Sequence, residues 1–210
     1  MNTDFHTKIL PTEQVKLFDF LCDQHWISKF YLAGGTSLAL QIGHRESVDF
    51  DFFTTEEFNI TEVKETLMEQ GKYEPLTEAK NTLYAILNDV RISFFRYKYP
   101  LVNAPIKKKY FNVAHIFDVG LMKLEAIAGR GAKKDFIDLF FILKQYKLST
   151  LLGSYEKKYG ISAYAHYHLI KSLSYFEDAE EERMPVMYQP ITWQQVKKGI
   201  QNEVMKISIE

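Results

Sequence analysis

Val15, Phe18, Cys22 and Trp26 recur at intervals of three and four residues, which predicts a helix over 12–27 with one apolar stripe. Thr12 stands where an N-cap belongs, and Glu13 would meet the positive end of the helix dipole. Residues 30–33 read as a short buried strand, Gly34-Gly35 as a turn, and 37–42 as a helix that Gly43 ends. After the polar run His44-Arg45-Glu46-Ser47 the pattern switches to strict alternation. Val48, Phe50 and Phe52 then share one face of a strand, and Asp49 and Asp51 share the other. A helix over 57–70 with a stop at Gly71 and a strand over 72–78 follow. Residues 82–87 and 90–97 are β-rich, and Asn88-Asp89 between them is a two-residue hairpin signal.

Past Pro100 the character changes, and from about Ala114 the pattern is helical. Residues 98–112 carry two prolines and three consecutive lysines, which predicts a loop and a domain boundary, with domains at 1–100 and 113–210. Phe117, Leu121, Leu124 and Ala128 form one stripe of a helix broken at Gly129-Arg130-Gly131. A second helix is expected over 133–146, burying Phe136, Leu139, Phe140 and Leu143, and further helices over 148–159, 162–175 and 193–206. The acidic run 177–182 with Met184-Pro185 reads as an exposed linker.

The chain has 210 residues, 46% of them hydrophobic and 25% charged, enough for one sizeable core or two small ones. No apolar run approaches the ~20 residues of a membrane span, and the N-terminus lacks the basic-then-apolar order of a signal peptide, so a cytoplasmic protein with no membrane partner is expected. The single cysteine, Cys22, excludes an internal disulfide and a cysteine-rich zinc site. A net charge of −1 does not announce a large nucleic-acid footprint. The lysine pairs and triplet at 107–109, 133–134, 157–158 and 197–198 read as solvated faces.

Two carboxylates on one face of a strand repel each other unless a cation lies between them, so Asp49 and Asp51 are candidate Mg²⁺ ligands. Large apolar neighbours on the opposite face imply that the strand is buried there, an unusual setting for two acids. Gly34-Gly35 leaves backbone N–H groups uncovered at the start of a helix, an arrangement suited to a phosphate. Together these are the minimal equipment for nucleotidyl or phosphoryl transfer.

The run Ala33-Gly34-Gly35-Thr36-Ser37-Leu38, followed by His44-Arg45-Glu46-Ser47-Val48-Asp49-Phe50-Asp51-Phe52-Phe53, resembles the first signature of the AbiEii/AbiGii nucleotidyltransferase toxin family, within the polymerase-β-like nucleotidyltransferase superfamily. The segment from Asp118 through Lys123, Arg130, Asp135 and Asp138 to Phe140 is similar to that family's second signature. The resemblance implies an α+β fold: a mixed sheet with flanking helices, followed by a helical domain that closes the cleft. It implies transfer of a nucleoside monophosphate from an NTP to an acceptor hydroxyl, releasing pyrophosphate. Asp49 and Asp51 would hold Mg²⁺, and Gly34, Gly35 and the Thr36 hydroxyl would hold phosphates. Lys123 would contact the triphosphate and Asp135 would complete the site. Arg45, Arg130, Asp138 and His44 are further candidates for nucleotide contact.

Many members of the superfamily carry a third carboxylate on a later strand, where it helps activate the attacking hydroxyl. The strand Val90–Arg96 offers none. The resemblance favours a toxin-like enzyme acting on RNA, such as the 3′ end of tRNA, restrained by an antitoxin. Modification of a small-molecule antibiotic or of a protein, and nucleotide binding without turnover, are the alternatives.

Overall fold

The computed structural model describes residues 5–160 and 163–207, which fall into two compact units. One runs to Ile42 and resumes over Glu46–His115; the other takes Gly43–Arg45 and the chain from Ile116 onward.

The first unit contains α1 (Thr12–Cys22), β1 (Tyr31–Ala33), α2 (Gly34–Ile42), β2 (Asp49–Thr54), α3 (Ile60–Met68), β3 (Tyr73–Ala79), β4 (Thr82–Leu87), β5 (Val90–Arg96), β6 (Ile106–Lys108) and β7 (Phe111–Val113). The strands form one mixed seven-stranded sheet in the order β3-β4-β5-β2-β1-β7-β6. β2 runs parallel to β5 and antiparallel to β1, which places it near the middle. Its alternation sends Phe50 and Phe52 into the core, where both are fully buried with Leu32, Leu83, Ala85, Ile92 and Phe94. Phe52 stacks on Phe94 at 5.0 Å, and Phe18 of α1 meets Phe111 of β7 edge-on at 5.0 Å. Each such aromatic or aliphatic side chain contributes ~1.5–3 kcal/mol by leaving water.

Local chemistry moved several boundaries. Pro11, not Thr12, occupies the N-cap of α1, because its fixed φ of −54° sets the entry and Thr12 makes the first helical turn. The helix stops at Cys22 and a 3₁₀ turn over His25–Lys29 follows, so Trp26 lies off the predicted stripe. Burial pushes the Cys22 thiol up to about 11, consistent with an inert core residue. α3 starts at Ile60 because Asn59 caps it, accepting from the Thr61 N–H at 3.0 Å. Asn88 and Asp89 take φ of 49° and 64°, the left-handed pair that a type I′ hairpin requires. Residues 98–112 are not simply a loop, since they contain β6 and the first two residues of β7. These are three-residue strands, and the exposed Lys107 and Lys108 suit the sheet edge that β6 occupies.

The second unit is helical: α4 (Ile116–Gly129), α5 (Lys133–Ile142), α6 (Leu148–Tyr159), α7 (Ala163–Ser172), α8 (Glu177–Glu180) and α9 (Trp193–Ile207). The expected helix over 162–175 begins with a residue outside those described. α5 is packed on several sides, so Ile137, Phe141 and Ile142 are buried while Phe140 and Leu143 are only half-buried. Phe140 faces Gly199 of α9, where a Cβ would come within 2.5 Å of its ring. The acidic run is not a linker: Glu177–Glu180 forms a helical turn that buries Ala179. The Glu182 carboxylate accepts from the Lys133 N–H at 2.8 Å, an anion at the positive end of α5. Lys133 is buried rather than solvated, its ammonium donating to the Glu180 carbonyl at 3.2 Å and to that of Glu182. Among the described residues no helix is long and apolar enough to cross a membrane.

Candidate active site

The sheet register fixes one cluster in the first unit. Asp51 pairs with Ala33 of β1 on one side and Ser93 of β5 on the other, and Asp49 pairs with Arg91. Asp49 and Asp51 are half-buried on a common face, and Phe50 and Phe52 fill the opposite one. Val48 does not join that apolar face; it precedes the strand and is 47% exposed. Ser93 Oγ donates to Asp51 Oδ1 at 2.6 Å. Asp49 Oδ1 is buried with no hydrogen-bond partner among the described residues.

Gly34 opens α2 at φ +70°, a conformation that L side chains rarely adopt, and a Cβ on it would lie 3.1 Å from Asp51 Oδ2. The turn therefore brings bare backbone against the carboxylate, and the first N–H groups of α2 have no partner within the helix. Gly35 is half-buried beside it. The Thr36 hydroxyl, expected to hold a phosphate, is already engaged by the protein. Thr36 is 1% exposed, and its Oγ1 bonds the Asp49 carbonyl at 2.5 Å and Ser47 Oγ at 2.9 Å, pinning the start of β2.

The donor set suits a hard divalent ion. A buried carboxylate oxygen without a partner wants a cation, and Mg²⁺ is commonly held by one or two carboxylates plus substrate phosphates and water. Among the described residues no third His, Cys, Asp or Glu joins the pair to make a closed metal cage.

The residues of the second signature meet elsewhere, inside the helical unit. Asp138 is fully buried and accepts from Arg45 Nε at 2.7 Å, Arg45 Nη2 at 2.8 Å and His44 Nε2 at 2.8 Å, while Lys123 Nζ lies 2.6 Å away. Asp135, also fully buried, receives Lys123 at 2.7 Å and Arg130 at 2.8 and 3.0 Å. Two carboxylates thus face the cations of Lys123, Arg45 and Arg130. Burial penalises the charge on each carboxylate, but the cations outweigh it. Asp138 is held well below the usual carboxylate range by Lys123 and Arg45, and Asp135 is lowered by Lys123 and Arg130. Burial likewise opposes the Lys123 ammonium, and the two aspartates reverse the balance and raise its pKa. For His44 burial prevails over Asp138, and the pKa falls below its usual 6.5. The neutral ring donates its Nε2 proton to Asp138, leaving Nδ1 buried with no hydrogen-bond partner among the described residues.

Arg45 and Asp138 were expected at the nucleotide, yet they neutralise each other out of solvent at 3% and 0% exposure. Sequence patterns separated His44-Arg45, in a polar run, from Asp138, 93 positions beyond Arg45, and only the fold joins them. Ser93 was not singled out, because its place beside Asp51 follows from the β2–β5 register, which no local pattern encodes.

Residues 16–102 match the family described as nucleotidyl transferase AbiEii toxin, of a type IV toxin–antitoxin system. A protein of Aquifex aeolicus (strain VF5), aq_aa25, is 38% identical over 203 residues, covering 93% of this chain and 96% of that relative. Among solved structures, JHP933 from Helicobacter pylori superposes with a TM-score of 0.52 at 17% identity, covering 94% of this chain and 95% of that one. MenT4, the nucleotidyltransferase toxin Rv2826c from Mycobacterium tuberculosis H37Rv, superposes with a TM-score of 0.54 at 14% identity, covering 86% of this chain and 76% of that one. At such identities the likeness establishes a shared α+β fold. The family match and the aspartate pair beside a glycine turn agree, and the chain, alike to the Aquifex relative over nearly its whole length, belongs to the AbiEii nucleotidyltransferase toxin family.

Proposed function

We propose that this protein transfers a nucleoside monophosphate from an NTP to a hydroxyl on an RNA end, the 3′ end of tRNA being the first acceptor to test, and that a cognate antitoxin restrains it. The observation that carries this reading is the Asp49–Asp51 pair on one face of β2, with Gly34 against Asp51 and one Asp49 oxygen buried without a partner. Mg²⁺ bound by the two carboxylates would neutralise triphosphate charge and polarise the α-phosphoryl group. The N–H groups that open α2 at Gly34 and Gly35 take the β- and γ-phosphates, as the positive end of a helix favours. Ser93 keeps Asp51 in its orientation by donating to the oxygen that Gly34 does not face. The acceptor oxygen bonds to the α-phosphorus, the bond to the bridging oxygen breaks, and pyrophosphate leaves. The hydroxyl proton passes to water, since β5 carries Ser93 beside Asp51 and no acid.

The geometry supports a positioning role for the second signature rather than direct contact with phosphate. Lys123 is 5% exposed with its ammonium shared by Asp135 and Asp138, and the same network grips His44-Arg45 inside the helical unit. Ser93 in place of an acid also favours a second reading, nucleotide binding without turnover.

Labelled NTPs with Mg²⁺ are offered in turn with total tRNA, aminoglycosides and lincosamides, and a protein extract. Label in RNA that disappears with Asp49→Asn is expected. Label only in a small molecule or a protein reassigns the acceptor, and NTP binding with no transfer to any of them selects the second reading.

A further inference from the structure

β2 lies between β1 and β5, so the aspartate pair has two different flanks. On the β1 flank is Gly34, against Asp51. On the β5 flank the register places Arg91 beside Asp49 and Ser93 beside Asp51, with strands ~4.8 Å apart and paired side chains on one face. Ser93 is buried and engaged with Asp51. Arg91 is exposed and its side chain makes no ion pair or hydrogen bond among the described residues, although it stands next to a carboxylate. The row continues through Ile86 to Glu74 of β3, whose carboxylate is occupied by Lys72 at 2.5 Å.

Phosphoryl transfer brings the attacking and leaving oxygens roughly into line through the phosphorus. If pyrophosphate departs along the glycine turn on the β1 flank, the acceptor approaches from the β5 flank. We infer that Arg91 is a specificity residue for the acceptor, binding a phosphodiester next to the attacking hydroxyl and so selecting a single-stranded RNA end. This rests on the nucleotidyltransferase reading and deepens it. A guanidinium presents a donor fork matched to phosphate oxygens. It also repels polycationic acceptors such as aminoglycosides, which gives discrimination in both directions. The position that could have held a base holds Ser93 instead, so this flank is equipped for recognition by charge.

The test measures binding of a fluorescent single-stranded RNA by anisotropy, in Mg²⁺ across a salt series, to the wild type, Arg91→Ala and Arg91→Lys. Binding of a fluorescent NTP is measured in parallel. Arg91→Ala should weaken the RNA about ten- to hundredfold. It should also make log affinity against log salt shallower by about 0.7, the loss of one single-strand phosphate contact. Arg91→Lys should restore most of the salt slope, and NTP affinity should not move. Unchanged RNA affinity and slope in Arg91→Ala, or no RNA binding by the wild type, overturns the inference. Failure of the underlying reading looks different: NTP binding is absent or indifferent to Asp49→Asn, and the inference falls with it.

Discussion

Asp138→Asn is the sharpest perturbation of the ion network. The substitution keeps shape and volume but removes the charge that Lys123 and Arg45 share, at a site with no solvent exposure. Breaking a buried pair from one side leaves uncompensated charge and costs about 3–5 kcal/mol. For a chain of this size each kcal/mol moves the melting midpoint by about 2–4 °C, so the expected fall is about 6–20 °C. Differential scanning calorimetry without nucleotide reads it directly. A cycle with Lys123→Met separates the pair term: the double variant should lose clearly less than the two singles added together, because the unpaired ammonium is gone. If Asp138 instead served a bound nucleotide, Asp138→Asn would leave the nucleotide-free midpoint within about 2–4 °C of wild type, the equivalent of the ~1 kcal/mol of a neutral hydrogen bond, and only nucleotide affinity would fall. That result would refute the positioning role.

Gly34→Ala forces an L side chain to φ +70° with its Cβ 3.1 Å from Asp51 Oδ2. Urea denaturation should show a loss of about 1–2 kcal/mol from the left-handed backbone alone, and an unchanged midpoint would mean that the turn relaxes. Ser93→Ala removes the donor to Asp51 and should lower Mg²⁺ affinity or transfer about 10–100-fold, as loss of a partner that orients a metal ligand does. Isothermal titration with Mg²⁺ and NTP checks it, with wild-type affinity as the refuting result. His44 has its native pKa lowered from 6.5, so the unfolded chain binds more protons and stability falls as pH drops through 6.5 towards the native value. Asp135 and Asp138, lowered from 3.8, keep their contribution above that pH and lose it only in stronger acid. Melting curves between pH 7.5 and 5 should slope downward for the wild type and flatten for His44→Gln, which keeps a donor for Asp138; equal slopes would contradict this.

Wherever a single element declares itself by period, the sequence was legible. The alternation at 48–52 and the left-handed pair Asn88-Asp89 gave β2 and the β4–β5 hairpin, because burial of one face and a two-residue turn leave few other options. The aspartate pair could be read for the same reason: two acids opposite Phe50 and Phe52 have a fixed face. What stayed hidden depends on partners distant in sequence. β6 and β7 are too short and too rich in lysine to declare themselves, and they exist because β1 offers β7 an open edge. Lys133 reads as a surface lysine until the Glu180 and Glu182 carbonyls close over it. Arg45 and Asp138 read as nucleotide contacts from the resemblance, and a charge seen in sequence alone is ambiguous between a ligand site and a tertiary ion pair.

That ambiguity resolves into a division of labour along one short segment. Gly43–Arg45 belongs to the helical unit and Glu46 onward to the sheet unit, and each side of that break has its own anchor. At one, Asp138 grips both His44 and Arg45; at the other, Thr36 bonds Ser47 and the Asp49 carbonyl. Only Glu46, Ser47 and Val48 separate Arg45 from Asp49. Phosphoryl transfer asks little covalent work of the protein and much exactness in placing charge, with sites held to ~0.5 Å. On the proposed reading the Thr36 anchor serves that placement directly, since it and the carboxylate pair lie in one unit, while the second signature supplies a buried ion network inside the helical unit.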